Sequence, residues 1–166
     1  MRVVAETPHL LIRTWLESDL AGYATLIGED SELNQYSIEK PASRAETELW
    51  RYQLELDRYG WSRWAVEYKE NSQLIGFCGF SPYGSDVEIG WKFLQEYYGR
   101  GLVIEALSAV TELGFQALGF ERVISFSRPD NQFVQGVMEQ IGMTLEQLEG
   151  WSNCTVARYS LSRERL

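Results

Sequence analysis

Apolar residues along this chain switch between a period near 3.6 and a period of 2, which predicts helices interleaved with strands. Residues 9–15, HLLIRTW, form a short apolar run that predicts an opening strand. In ESDLAGYATLIGE, Leu20, Tyr23, Ala24 and Ile27 recur at three- and four-residue spacing. A helix is therefore expected next, with Ser18 as its candidate N-cap. SELNQYSIEKPA, residues 31–42, breaks the pattern. Ser43 with Glu46 three places on has capping-box spacing and predicts a second helix running to Tyr59, before Gly60.

From Ser62 the period becomes two. Trp64, Val66 and Tyr68 alternate with Arg63, Ala65 and Glu67, and the turn residues ENS lead into a second apolar run, QLIGFCGFS. After the turn PYGS, DVEIGWKFL sets Val87, Ile89, Trp91 and Phe93 against Glu88, Gly90 and Lys92. Three consecutive strands of this kind predict an antiparallel meander. Beyond Gly101, one helical face carries Val103, Ala106, Leu107, Val110, Leu113 and Ala117, and Gly119 with Phe120 forms its expected C-terminal cap. A strand at RVISFS follows, then a helix at NQFVQGVMEQIG with Val134, Val137, Met138 and Ile141 inward, then two strands from about Met143 to Leu161.

A chain of 166 residues, 45% apolar, buries one core and not two, so residues 1–166 are expected to form a single domain. MRVVAETPHLLIRTW meets charge or proline before any useful apolar stretch, which does not resemble a signal peptide, and no later run approaches a membrane span. The expectation is a soluble, cytoplasmic protein without a membrane partner. A net charge of −9 argues against nucleic acid, since phosphate backbones select basic stripes, and suits a cationic partner better. Cys78 and Cys154 lack metal-ligand spacing and His9 has no evident ligand partners, so no metal is expected.

YYGRGLVIEA, residues 97–106, joins a strand to a helix through a Gly-Arg-Gly turn. Such a turn gathers unpaired backbone N–H groups at one concave point, where the helix dipole and an arginine add positive potential. Any strand-to-helix turn can use glycine for its own sake, but the combination describes an anion site. No Lys-Ser or Lys-Thr follows the second glycine, which excludes a P-loop, and the spacing is not that of dinucleotide folds.

The succession VEIGWKFLQEYYGRGLVIEAL, a strand, then PDNQFVQGVMEQIGM resembles the GNAT superfamily of acyl-CoA-dependent N-acetyltransferases, in particular its RimJ/RimL-like branch, and TPHLLIRTWLESDL is similar to that branch's start. The resemblance implies an α/β (α+β) fold. Its central sheet would be mixed, with about seven strands, largely antiparallel, splayed in the middle and flanked by about four helices. It implies acetyl-CoA wedged between the strands at residues 85–94 and 121–127, with backbone groups of Trp91, Lys92 and Phe93 pairing with the pantetheine arm. The pyrophosphate would rest on backbone N–H groups from Gly99 through Arg100, Gly101, Leu102 and Val103 to Ile104, and Asn131 would bond the pantetheine near its sulfur. Without the resemblance, Asn131 reads as a good N-cap, and the two roles are compatible.

Acetyl transfer needs a neutral amine, donors facing the developing oxyanion, and a departing thiolate. An α-amine of pKa near 8 is about 10% neutral at pH 7 and a lysine about 0.04%, so an α-amine needs less help. Glu88, the glutamate of the E-I-G-W strand, is the candidate general base. Its other reading is a solvated strand residue or a partner for Lys92. Glu105 reads as a first-turn dipole or packing feature, and the backbone N–H near Trp91 as the oxyanion donor.

Two departures from the family pattern stand out. Val134 and Met138 occupy places often held by serine and tyrosine, so two hydroxyls that protonate a leaving thiolate are missing. Val103 and Ile104 occupy places often held by a small residue and a threonine, which is expected to add bulk to the phosphate cradle. Tyr36, Trp50, Tyr52, Tyr59 and Trp61 offer aromatics for the acceptor side or for the core. The implied acceptor is a primary amine, either a protein N-terminus or a small molecule, and the implied assembly is a monomer or homodimer. A non-catalytic acyl-CoA-binding or regulatory module is the alternative, and a fold relic without cofactor a third.

Overall fold

A computed structural model describes residues 1–29 and 41–165. Tyr36 lies outside the described residues. The sheet has eight strands: β1 (Val3–Glu6), β2 (Leu10–Arg13), β3 (Arg63–Tyr68), β4 (Gln73–Tyr83), β5 (Asp86–Phe93), β6 (Arg122–Ser127), β7 (Thr144–Trp151) and β8 (Cys154–Ser162). Four α-helices are described: α1 (Leu20–Gly28), α2 (Pro41–Tyr59), α3 (Leu102–Gln116) and α4 (Gln132–Gln140). The strand order is β1-β2-β3-β4-β5-β6-β8-β7, antiparallel at every step except β5 to β6. The mixed sheet and the meander β3-β4-β5 match the expectation. The eighth strand is β1, four residues of which only two are even half-buried, too short to signal a period.

The two faces of the sheet are covered by different helices. Phe77 of β4 packs against Tyr23 of α1 and Tyr52 of α2. On the other face Phe80 meets α3 so closely that a Cβ at Gly114 would stand 2.7 Å from its ring. Ala106, Leu107 and Val110 of α3 are fully buried, as their spacing predicts, but Ala117 is exposed because α3 ends at Gln116.

Neither predicted cap is the residue at which its helix starts. Arg13, almost fully buried, draws Asp19 into a bidentate pair at 2.8 and 3.0 Å, and Asp19 also accepts the Leu16 N–H at 2.7 Å. Asp19, not Ser18, consequently stands at the start of α1. Helix α2 begins at Pro41, where a missing N–H costs nothing, so Ser43 and Glu46 fall inside its first turns. No described helix is long and apolar enough to cross a membrane.

Candidate active site

β5 and β6 are joined at one register step, Glu88 opposite Ile124. One further bond, from Ser125 Oγ to the Ile89 carbonyl at 3.0 Å, holds the strands together before they part. From Gly90 to Phe93 the far edge of β5 has no strand partner among the described residues, while its near edge is fully paired with β4. The parting opens a cleft of about 380 Å³. Glu88 sits at its apex, with Gly90, Trp91 and Lys92 along one bank, Ser125, Phe126 and Val134 along the other, and α1 and α2 above.

The Glu88 side chain is 24% exposed and lies 3.5 Å from Arg63 Nη2. Burial pushes its carboxyl above the ordinary carboxylate value, and the positive charges of Arg63 and Arg51 pull the other way. The alternating pattern of β5 suggests Lys92 as a partner for Glu88. The ion pair is instead with Arg63, whose guanidinium crosses the bare backbone of Gly90, where a Cβ would stand 2.7 Å from Arg63 Cζ.

The Gly-Arg-Gly turn follows a short 3-10 turn, Gln95–Tyr97. Gly99 and Gly101 have φ of +79° and +76°, the left-handed region that glycine enters without penalty. Gly101 is the N-cap of α3, and no side chain caps the helix. The first intrahelical bond runs from the Glu105 N–H to the Gly101 carbonyl at 3.1 Å. The earlier N–H groups, at Leu102, Val103 and Ile104, therefore have no intrahelical acceptor. Leu102 and Val103 turn their side chains into the core, at 4% and 5% exposure. This corrects the expectation that valine bulk would crowd the turn, while Ile104, the other bulky replacement, is half-buried. Arg100 is exposed, its guanidinium 5.0 Å from the Tyr97 ring centroid. Space is open around both turn glycines, with no atom within 4 Å of a built Cβ. An uncapped helix start behind an open turn fits an anionic group.

Glu105 proves to be a fastener. It accepts from the His9 N–H and pairs with His9 Nδ1, both at 2.9 Å, and accepts from Thr7 Oγ1 at 2.5 Å, tying α3 to the β1–β2 turn. Burial works to raise its carboxyl, but the bonds from Thr7 and His9 outweigh it and hold the group below its ordinary value. His9 thus has a structural partner that spacing does not reveal.

Asn131 caps α4, its Oδ1 accepting from the Val134 N–H at 3.1 Å. Val134 faces the cleft and Met138 is buried in the core. Tyr98, from the turn, meets Phe133 of α4 edge-on at 5.1 Å, so an aromatic contact spans the two banks. Of the described aromatics expected near an acceptor, only Tyr52 lines the cleft. Trp50 is 67% exposed, and Tyr59 stacks on Trp61, which packs on Phe80 and Phe120.

Sequence reasoning missed the polar half of the cleft. Tyr23 and Tyr52 share a hydroxyl contact at 2.9 Å, Tyr23 donates to Glu48, and Arg44 donates to Glu48 at 3.1 Å. The described lining carries Arg44, Arg51, Arg63 and Lys92 together with Glu48 and Glu88. Arg63 had one signal: a charged residue on a strand whose next three positions, Trp64, Ala65 and Val66, are all apolar. Among the described residues, no group of three or more His, Cys, Asp or Glu is placed to hold a metal ion.

The chain resembles known proteins over most of its length. YoaA of Bacillus subtilis (strain 168), described as an uncharacterized N-acetyltransferase, is 27% identical over 152 residues, 86% of this chain and 84% of that protein. A putative GNAT-family acetyltransferase from Bordetella pertussis superposes with a TM-score of 0.85 at 16% identity, covering 98% of this chain and all of that one. RimL, a ribosomal L7/L12 alpha-N-protein acetyltransferase solved with coenzyme A, superposes with a TM-score of 0.80 at 18% identity, covering 97% and 98%. The model of the acetyltransferase (GNAT) domain matches residues 9–144, and the chain belongs to that family of acetyl-CoA-dependent acetyltransferases.

Proposed function

We propose that this enzyme transfers an acetyl group to a primary amine, by direct attack within a ternary complex, with Glu88 as the general base. The observation that carries the reading is the position of a half-buried, raised carboxyl at the apex of the β5–β6 cleft. Acetyl-CoA supplies the thioester: the new N–C bond forms as the C–S bond breaks, and the thiolate leaves with the electron pair. Glu88 takes the proton that the amine loses, and its raised pKa makes it a better base than an exposed carboxylate. The backbone N–H near Trp91, on the open edge of β5, faces the negative charge that develops on oxygen.

Binding draws on main chain more than on side chains. Backbone groups at Trp91 and Phe93 lie on the edge of β5 that faces away from β4 and suit an extended amide-bearing arm, whereas those of Lys92 turn to Phe77 of β4, so the expected pairing through Lys92 main chain is dropped. The N–H groups of Gly99 to Ile104 and the Arg100 charge suit phosphates. Asn131 offers its side-chain amide beside the cleft while capping α4. No hydroxyl stands at Val134 or Met138, and a thiol with a pKa of about 8.5 departs without one. No residue is assigned as an acylated nucleophile: neither cysteine belongs to a Cys-His arrangement, Cys78 is buried and burial pushes its thiol up, and Cys154, exposed at the start of β8, is not among the described residues that line the cleft.

The test is calorimetric titration with acetyl-CoA, with dephosphorylated pantetheine as control, followed by thiol release with an amine panel. Phosphate-dependent binding and turnover are expected. Binding without turnover on any amine would leave the alternative, a regulatory acyl-CoA-binding module.

A further inference from the structure

Arg13 illustrates how this fold satisfies a buried arginine. Its Nε donates to Glu67 at 2.8 Å, and its terminal nitrogens donate to Asp19 at 2.8 and 3.0 Å and to the Thr14 carbonyl at 3.2 Å. Arg63 is held quite differently. In the sheet register Arg63 stands opposite Gly79, and Gly79 opposite Gly90, so the guanidinium crosses a ledge without side chains toward Glu88. The Phe77 ring lies 5.4 Å from Cζ. Arg63 Nε is buried with no hydrogen-bond partner. The polar groups around the cation are Glu88, at 3.5 Å, the Tyr52 and Tyr23 hydroxyls, and the Glu55 carboxylate from α2. A separation of 3.5 Å is long for a charge-assisted pair, and an unsatisfied buried donor is costly. The arginine is therefore under-bonded at Nε, and it lines the cleft.

We propose that Arg63 binds a carboxylate of the acceptor, and that the acceptor is a free α-amino acid whose amine lies at Glu88. This rests on the N-acetyltransferase reading above and narrows its substrate. An α-amino acid carries amine and carboxylate on one carbon, so its nitrogen and nearest carboxylate oxygen stand about 3 Å apart by standard bond lengths. That spacing matches the 3.5 Å between Arg63 Nη2 and Glu88 Oε1. A planar guanidinium is suited to a carboxylate, which it can grip with two donors at once. A protein N-terminus offers a neutral carbonyl at the same position, a weaker acceptor for a guanidinium than a carboxylate.

The test uses the wild-type enzyme with acetyl-CoA and compares each of the common α-amino acids with its carboxamide, its decarboxylated amine and an N-terminal peptide. At least one amino acid is expected to be acetylated with a KM tenfold or more below that of its carboxamide. Arg63→Gln is expected to bring that ratio close to one. Amides, amines or peptides acetylated as well as the acids would overturn this inference and leave the N-acetyltransferase reading standing. Binding of acetyl-CoA with no amine turned over would overturn both. The substrate series needs no variant, so it decides the matter even if Arg63→Gln does not fold.

Discussion

Glu88 lies opposite Ile124 in the single paired step that joins β5 to β6. The candidate base is thus anchored where the sheet is still continuous, at the edge of the space where it is not. Its carboxyl, raised by burial, becomes an acceptor of protons only as pH climbs past the ordinary carboxylate value. The rate at saturating acetyl-CoA should accordingly rise with pH along a limb displaced above that value. Glu88→Gln should lower kcat by about a hundredfold or more and abolish that limb. Steady-state rates across the pH range check both, and an unshifted limb in the variant would remove Glu88 from the chemistry.

The bonds of Glu105 to Thr7 and His9 should be worth about 1–2 kcal/mol. Because the folded carboxyl is held below its ordinary value, that contribution is present above the unfolded pKa and is lost as pH falls through the folded one. Urea unfolding of Glu105→Ala should show the full deficit at neutral pH and a narrowing gap in acid, with the variant's acetyl-CoA affinity little changed.

Val103 separates packing from binding. Its side chain is in the core, so Val103→Ala should cost roughly 2 kcal/mol of stability through the cavity it leaves. Calorimetry should find acetyl-CoA affinity nearly unchanged. A gain in affinity would mean that the valine does crowd the turn.

Gly101 should behave in the opposite way. At φ +76° an alanine costs about 1–2 kcal/mol in backbone strain. Any relief of that strain re-aims the N–H groups that open α3. Gly101→Ala is expected to weaken acetyl-CoA binding by about tenfold, the equivalent of one charge-assisted hydrogen bond, while binding of dephosphorylated pantetheine changes less.

Elements whose burial is one-sided are legible in residue spacing alone. The apolar stripe of α3 and the alternation of β5 follow from periods of 3.6 and 2, and the turn between them follows from two glycines at positive φ. β1 is not legible in this way, because a four-residue edge strand has no room for a period. The start of α1 differs from its predicted cap because local spacing cannot register the bond from Arg13 to Asp19, made by a strand residue to a turn, and α2 starts ahead of its predicted cap, at Pro41. The cleft's cations escape for the same reason. Arg63 acquires its meaning from Gly79 and Gly90, sixteen and twenty-seven positions away in sequence and adjacent in register. The separation of β5 and β6 leaves no mark in residue spacing and enters only through family resemblance.

The gap between β5 and β6 also has a thermodynamic side. A ligand that lies along the open edge of β5 binds the folded chain and not the unfolded one. At a hundred times its dissociation constant it adds about 2.7 kcal/mol to the free energy of unfolding. Resistance of this protein to heat and proteolysis should therefore follow the acetyl-CoA supply around it. On the proposed placement of acetyl-CoA along β5, this enzyme persists longest when there is acetyl to transfer.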